Sequence, residues 1–334
     1  MRHVVGALLA SLLCSFPFRA AENLVSVDVG LGDVTINKVP FLIAADNGIY
    51  ERNGLDVHQF ITPDAADLIG LSGVVVPPEI VREDLSATPI AIGGGSPAIY
   101  DAVHNGTADL VVLATLENIL QAHIIAAADI HTVEDLRGKR LGYSLPGRAN
   151  HTGLLLFARE MGWSPEADFT MVERASTIRD VTEGRADAIS AGAVLVALAP
   201  EAGLNDVVDV SRYQIPFVGS GVNAERAWLA ANRDTAARFV KSTVEALALM
   251  KSDRAAFDAS VGKWFNITDS ATLDSMYDEV KDFPEKPYPS VEGIRAMMEI
   301  YDTPQMRAHR AEDFYDSSFV EELDRSGHLD GLYR

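Results

Sequence analysis

Three consecutive glycines, Gly93-Gly94-Gly95, stand directly before Ser96-Pro97. Glycine lets a ligand come close to the backbone, and a serine hydroxyl adds a donor or acceptor. If a helix begins here, its first amides lack intrahelical partners and carry partial positive charge, which suits anions. Gly94, Gly95, Ser96 and Pro97 are therefore candidate ligand contacts; a plain strand-to-helix turn with Ser96 as its cap is the structural alternative. Ser144-Leu145-Pro146-Gly147-Arg148-Ala149-Asn150-His151-Thr152 is a second turn of the same kind. There Arg148 could fork onto a carboxylate or sulfonate, and Asn150 and His151 supply hydrogen-bonding groups. Thr177 and Gly192 open two further helices, where a cap is the alternative to a contact. Phe41 and Phe217 complete the set as apolar walls, the alternative for each being an ordinary core position.

No catalytic constellation competes with this binding chemistry, and no cofactor or metal is expected. Gly93-x-Gly95-x-x-Ala98 resembles half of a dinucleotide fingerprint, but it is a lone short motif. Gly94-Gly95-Ser96-Pro97-Ala98 lacks the last glycine of a nucleophile elbow. The eight histidines show no metal-ligand spacing, and the one cysteine, Cys14, sits in the apolar N-terminus.

Alternating strands and helices must position these turns. Short apolar or β-branched runs at 25–29, 55–61, 89–92, 110–114, 139–144, 170–173 and 186–190 predict strands. Between them, 40–52, 96–105, 149–161, 177–183 and 193–199 predict helices. This alternation implies parallel sheets covered on both faces. From about 225 the pattern becomes helical, at 234–250, 255–264, 271–281, 291–301 and 316–323. The expected organisation is a leader at 1–21, one lobe at 24–121 plus 219–334 with the C-terminal helices, and a second lobe at 122–218. The chain is expected to cross between lobes at 121–128 and 215–222, leaving a cleft at the carboxyl ends of the strands.

Several motifs, in order, carry a family resemblance. Val39-Pro40-Phe41-Leu42-Ile43-Ala44-Ala45-Asp46-Asn47-Gly48-Ile49-Tyr50 with Gly54-Leu55-Asp56-Val57 resembles the opening of the nitrate/sulfonate/taurine-type substrate-binding proteins, a group related to thiamine-pyrimidine-precursor binders. Gly106-Thr107-Ala108-Asp109, Asp135-Leu136-Arg137-Gly138-Lys139-Arg140-Leu141-Gly142 and Gly184-Arg185-Ala186-Asp187-Ala188 are similar to its later steps. The resemblance implies a type II periplasmic-binding-protein fold, an α/β architecture of two lobes joined by a hinge. It further implies a non-enzymatic component of an ABC importer that binds a small solute, anionic (sulfonate, nitrate or carboxylate) or heteroaromatic, for membrane permease subunits. A sensing receptor is the alternative role. Enzymes of thiamine-pyrimidine synthesis resemble the opening helix, but their cysteine-rich motif is absent here. The segment 62–89, with Val74-Val75-Val76-Pro77-Pro78, departs from the family pattern.

The composition agrees with export. Met1-Arg2-His3 and the apolar run 4–18, with Ala20-Ala21 after it, have the layout of a secretory signal peptide. The run is short for a membrane span, which needs about 20 apolar residues. A periplasmic, monomeric protein is expected. A formal net charge of −20 repels phosphate backbones, which disfavours nucleic acid as a partner.

Overall fold

The computed structural model describes residues 24–32, 35–71, 73–106 and 109–334; the expected leader and Cys14 lie outside them. Among the described residues, ten strands form two sheets of five. The first sheet has the order β2-β1-β3-β10-β4, from Val25–Gly32 (β1), Leu55–Ile61 (β2), Ile90–Gly94 (β3), Leu110–Thr115 (β4) and Ser220–Glu225 (β10). The second has the order β7-β6-β8-β5-β9, from His123–Ala126 (β5), Arg140–Tyr143 (β6), Thr170–Glu173 (β7), Ala188–Ala191 (β8) and Asn205–Asp209 (β9). Continuous apolar runs such as Leu110–Thr115 are buried almost throughout, as strands covered on both faces must be.

Helices fill the links: Val39–Asp46 (α1), Ile49–Arg52 (α2), Pro63–Leu71 (α3), Gly95–Tyr100 (α4), Ala149–Glu160 (α5), Ile178–Thr182 (α6) and Ala193–Leu198 (α7). The C-terminal part adds Arg226–Ala231 (α8), Arg233–Ser252 (α9), Arg254–Phe265 (α10), Ser270–Val280 (α11), Val291–Ile300 (α12), Ser318–Arg325 (α13) and His328–Leu332 (α14). In α9 the buried residues Ala236, Phe239, Val240, Thr243, Val244 and Leu247 recur at helical spacing and form one stripe. That stripe covers the first sheet's core, where Phe239 stacks on Phe41 at 6.4 Å and on Tyr50 at 5.4 Å.

Several features differ from the sequence expectation, among them the unpredicted elements α3, α8, α14 and β9. The sheets are not purely parallel: β10 runs antiparallel to β3 and β4, and β5 antiparallel to β8 and β9. The expected crossing segments thus already contain strands, because each crossing ends by pairing into the sheet it enters. The predicted helix 40–52 is two helices, broken where Gly48 takes φ +64°. Ser96 is not a cap: Gly94 is the N-cap, two residues earlier, and the helix runs from Gly95 and continues through a π-helical turn at Asp101–Asn105.

The two stretches that pass between the sheets, 116–122 and 210–219, bond to each other. Leu120 N donates to Ile215 O (2.9 Å), Phe217 N to Asn118 O (2.9 Å) and Gly219 N to Glu117 O (2.9 Å), with an antiparallel bridge at Ile119 and Pro216. The crossings are therefore a two-stranded ribbon. Helix α12 lies over it so closely that a Cβ on Gly293 would meet Phe217 C at 2.3 Å, and Ala296 reaches the second sheet's core. Gly293→Ala forces an overpacked contact and should lower stability by about 1–3 kcal/mol. Urea denaturation checks this, with Gly331→Ala, which has open space around it, leaving stability unchanged or slightly higher.

Candidate functional site

Parallel strands place their carboxyl ends, and the loops that follow, on one edge of each sheet. The first sheet brings Gly93-Gly94 at the end of β3 and Leu116-Glu117 after β4 to that edge. The second brings Ser144 after β6, Arg174 to Thr177 after β7 and Gly192 after β8. The crossing ribbon joins the two edges.

The start of α4 is less available than the sequence implies. Gly95 N donates to Gly219 O (3.0 Å) and Ser96 N to Val218 O (3.1 Å), so the ribbon already uses these amides. Gly95 is buried because a Cβ there would lie 2.5 Å from Val218 Cγ2; its glycine serves packing. Ser96 is fully buried, and its Oγ has no hydrogen-bond partner among the described residues. Gly94 and Pro97 remain half-buried.

The start of α5 is more open. Apart from Thr152 N, which donates to Arg148 O, the first-turn amides of Ala149, Asn150 and His151 have no backbone acceptor among the described residues. These amides form an acceptor-binding end of the kind expected at helix N-termini. Asn150 Oδ1 accepts from Ser144 Oγ (2.8 Å) and Ser144 N (3.4 Å), which fixes the loop after β6. Arg148, at the N-cap, pairs with Asp101 at 3.1 Å, across to the other half of the molecule. Both groups are partly exposed, so this pair is worth about 0–1 kcal/mol.

His151 does not face open solvent as a ligand side chain. Its Nδ1 accepts from Gly147 N (3.2 Å) and lies 2.6 Å from the hydroxyl of Tyr301, which also meets Thr152 Oγ1 at 3.0 Å. The rings of Tyr143 and Tyr301 flank the imidazole, and Tyr100 packs against Tyr301 at 4.9 Å. A Cβ on Gly147 would collide with Tyr100 Cδ1 at 2.2 Å, so this second contact between the halves requires glycine. Burial presses the imidazole down to about 4 and raises the Tyr301 phenol above its usual range.

The remaining predicted residues scatter. Thr177 caps α6 in a capping box with Asp180, and its hydroxyl is engaged there. Gly192 is exposed at the N-cap of α7, with open space where a side chain would be. Phe41 and Phe217 are buried, Phe41 in the first core and Phe217 under α12, so neither offers surface to a solute.

Two charged residues that sequence reasoning passed over occupy the first sheet's edge. Lys38 is buried, and its Nζ donates to Ile92 O at 2.6 Å. Half-buried Glu117 accepts from Ser220 N (3.2 Å) and Asn37 Nδ2 (3.4 Å). Burial pushes its carboxyl up to about 7, against the pull of those bonds and of the Lys38 charge. The signal was present: Glu117 follows the apolar run of β4 with one residue between, where a carboxylate is costly unless placed for a purpose.

The His151 contact carries a pH signature. An imidazole at about 6.5 in the unfolded chain and about 4 in the fold takes up its proton earlier when unfolded. Its contribution is complete above pH 6.5 and is lost as pH falls towards 4. His151→Asn, whose Oδ1 can replace Nδ1 as acceptor, should show a shallower loss of stability between those limits. Denaturation midpoints measured across pH 4–7 check this, and parallel curves for the two proteins would refute it.

No curated protein matches the chain in sequence. Solved structures match its fold. The periplasmic aliphatic sulphonate binding protein SsuA from Escherichia coli superposes with a TM-score of 0.62 at 18% identity, over 87% of this chain and 98% of that one. The periplasmic nitrate-binding protein NrtA from Synechocystis PCC 6803 gives 0.67 at 12%, over 94% and 92%. A Candida albicans gene product described as having the generic periplasmic binding protein structural fold gives 0.65 at 14%, over 88% and 97%. The architecture is thus the periplasmic-binding-protein fold that the resemblance implied. The family model described as NMT1/THI5 like matches residues 89–255, half of the sequence and the stretch that holds both edges and both crossings. The chain belongs to the NMT1/THI5-like family.

Proposed function

We propose that this protein is an exported solute receptor. It holds a small polar molecule, unaltered, between its two sheet-built halves and delivers it to an ABC importer in the membrane. The observation that carries this reading is the ribbon of two paired crossings, with polar groups at the sheet edge on either side of it. A two-crossing link between two cores is a natural hinge, and a solute that touches both halves favours the closed arrangement in proportion to the contacts made only there. On the second sheet's side, the free amides of α5, Asn150 and Gly192 would receive acceptor atoms of the solute. The sulphonate and nitrate named for the structural neighbours support a small oxygen-rich solute as the starting class. The leader-like N-terminus and the periplasmic binding proteins among the structural neighbours support export to the periplasm.

The reading makes a direct prediction. In a thermal-shift screen of nitrate, alkanesulfonates, aromatic acids, amides and pyrimidines, at least one solute should raise the melting temperature. At 100 times its Kd the gain is about 2.7 kcal/mol. Calorimetry should then give one site per chain, and mass spectrometry should recover the solute unchanged. Chemical conversion of the solute would contradict the reading.

A further inference from the structure

The halves meet at a second place besides the ribbon. Tyr100 ends α4, and Asp101 opens the π-helical turn that continues it. Such turns are rare and occur frequently at functional sites. The Tyr100 ring backs onto Gly147 of the other half, where a Cβ would fall 2.2 Å from its Cδ1 and 2.4 Å from its Cγ. Asp101 Oδ2 pairs with Arg148 at 3.1 Å, while Asn105 Nδ2 donates to Asp101 Oδ1 at 2.8 Å and holds the carboxylate in place. Tyr301, just past the end of α12, completes the contact. Its ring meets Tyr100 edge-on at 4.9 Å, and its hydroxyl meets His151 Nδ1 and Thr152 Oγ1. On the first half's side His104 backs this group, stacking on Tyr100 at 4.3 Å and meeting Thr303 Oγ1 at 3.0 Å.

Two properties suit this contact to a reversible role. Its parts are individually weak: a partly exposed ion pair, an aromatic edge contact and hydrogen bonds between neutral groups. It also falls on the turn that opens α5, whose amides at Ala149, Asn150 and His151 have no backbone acceptor among the described residues. Residues 147–152 thus carry both a contact between the halves and a helix end that suits acceptor atoms. Bending the ribbon changes the spacing of α4 and this turn, and a solute drawn to the amides acts on the same segment. We propose that Tyr100, Asp101 and Tyr301 form a latch on the 147–152 turn that holds the two halves together and sets how far they part without solute. Loosening the latch changes solute affinity in proportion to the population it moves. The proposal rests on the ribbon being a hinge, and it adds the contact that regulates it.

The test reads the separation of the halves in the full chain without solute. Spin labels at exposed Val75 and Leu198, with Cys14→Ser as the parent background, report it by double electron–electron resonance. Tyr100→Ala with Asp101→Asn breaks the latch from the first half. Gly147→Ala breaks it from the second, because the added methyl group displaces the Tyr100 ring. Each should give a broader distance distribution with a longer mean than the parent. Glu183→Gln loosens ion pairs with Arg179 and Arg185 inside the second half alone, and should leave the distribution unchanged. Melting curves check folding, and Asp101→Asn alone decides where the other variants do not fold. Distributions that superimpose on the parent's, or an equal change in Glu183→Gln, overturn the latch. A parent distribution that still moves with saturating solute would in that case uphold the hinge and the receptor reading.

Discussion

Everything in this molecule hangs on the short antiparallel ribbon made by its two crossings. Three backbone bonds tie 117–120 to 215–219, and two more run from α4 into the same segment. These bonds satisfy amides that would otherwise sit unpaired beside two cores, where each would cost free energy. They also fix where β4 ends, where β10 begins and where α4 starts, and so set the floor between the halves. Close packing enforces the arrangement. Gly219 admits Glu117, Gly95 admits Val218 and Gly293 admits Phe217, each with no room for a methyl group. A ribbon of so few residues can bend by small φ/ψ changes while both cores stay intact, the usual origin of hinge motion.

The electrostatics of the two edges differ, although the protein as a whole carries a formal net charge of −20. On the second sheet, the open amides of α5 favour acceptor atoms. On the first, Glu117 dominates, with its proton held more tightly than in water because burial disfavours the charged form. The contact of His151, Tyr301 and Tyr100 lies beside the ribbon and uses aromatic packing in place of charge, so salt should affect it little.

Much of the fold was legible in the sequence because its signals are local. Short apolar or β-branched runs marked the strands β1 to β4 and β6 to β8, and the helical spacing in α9 and α12 marked the C-terminal half. The strands β5, β9 and β10 were not legible, because β5 and β10 take their direction from the pairing of the crossings and β9 forms only by pairing antiparallel with β5. The same limit applied to the site. Asn150 and Gly192 stand at the second sheet's edge, as their helix-opening positions implied. The amides of α4 were spent on Val218 and Gly219, more than a hundred residues away, and no local pattern announces that. Phe41 and Phe217 looked alike as wall or core; packing against Phe239 and α12 decided for the core. Lys38 and Glu117 gain their importance only when β3, β4 and β10 come together.

The central claim is that the ribbon is a hinge between two halves that clasp a solute. Spin labels at Val75, an exposed position beyond the first sheet's β2, and at Leu198, exposed on the second sheet's α7, report the separation of the halves by double electron–electron resonance. With Cys14 replaced by Ser so that only these sites react, the account predicts a distance distribution that shortens and narrows when a bound solute saturates the protein. A distribution that keeps its mean and width at saturation would contradict it.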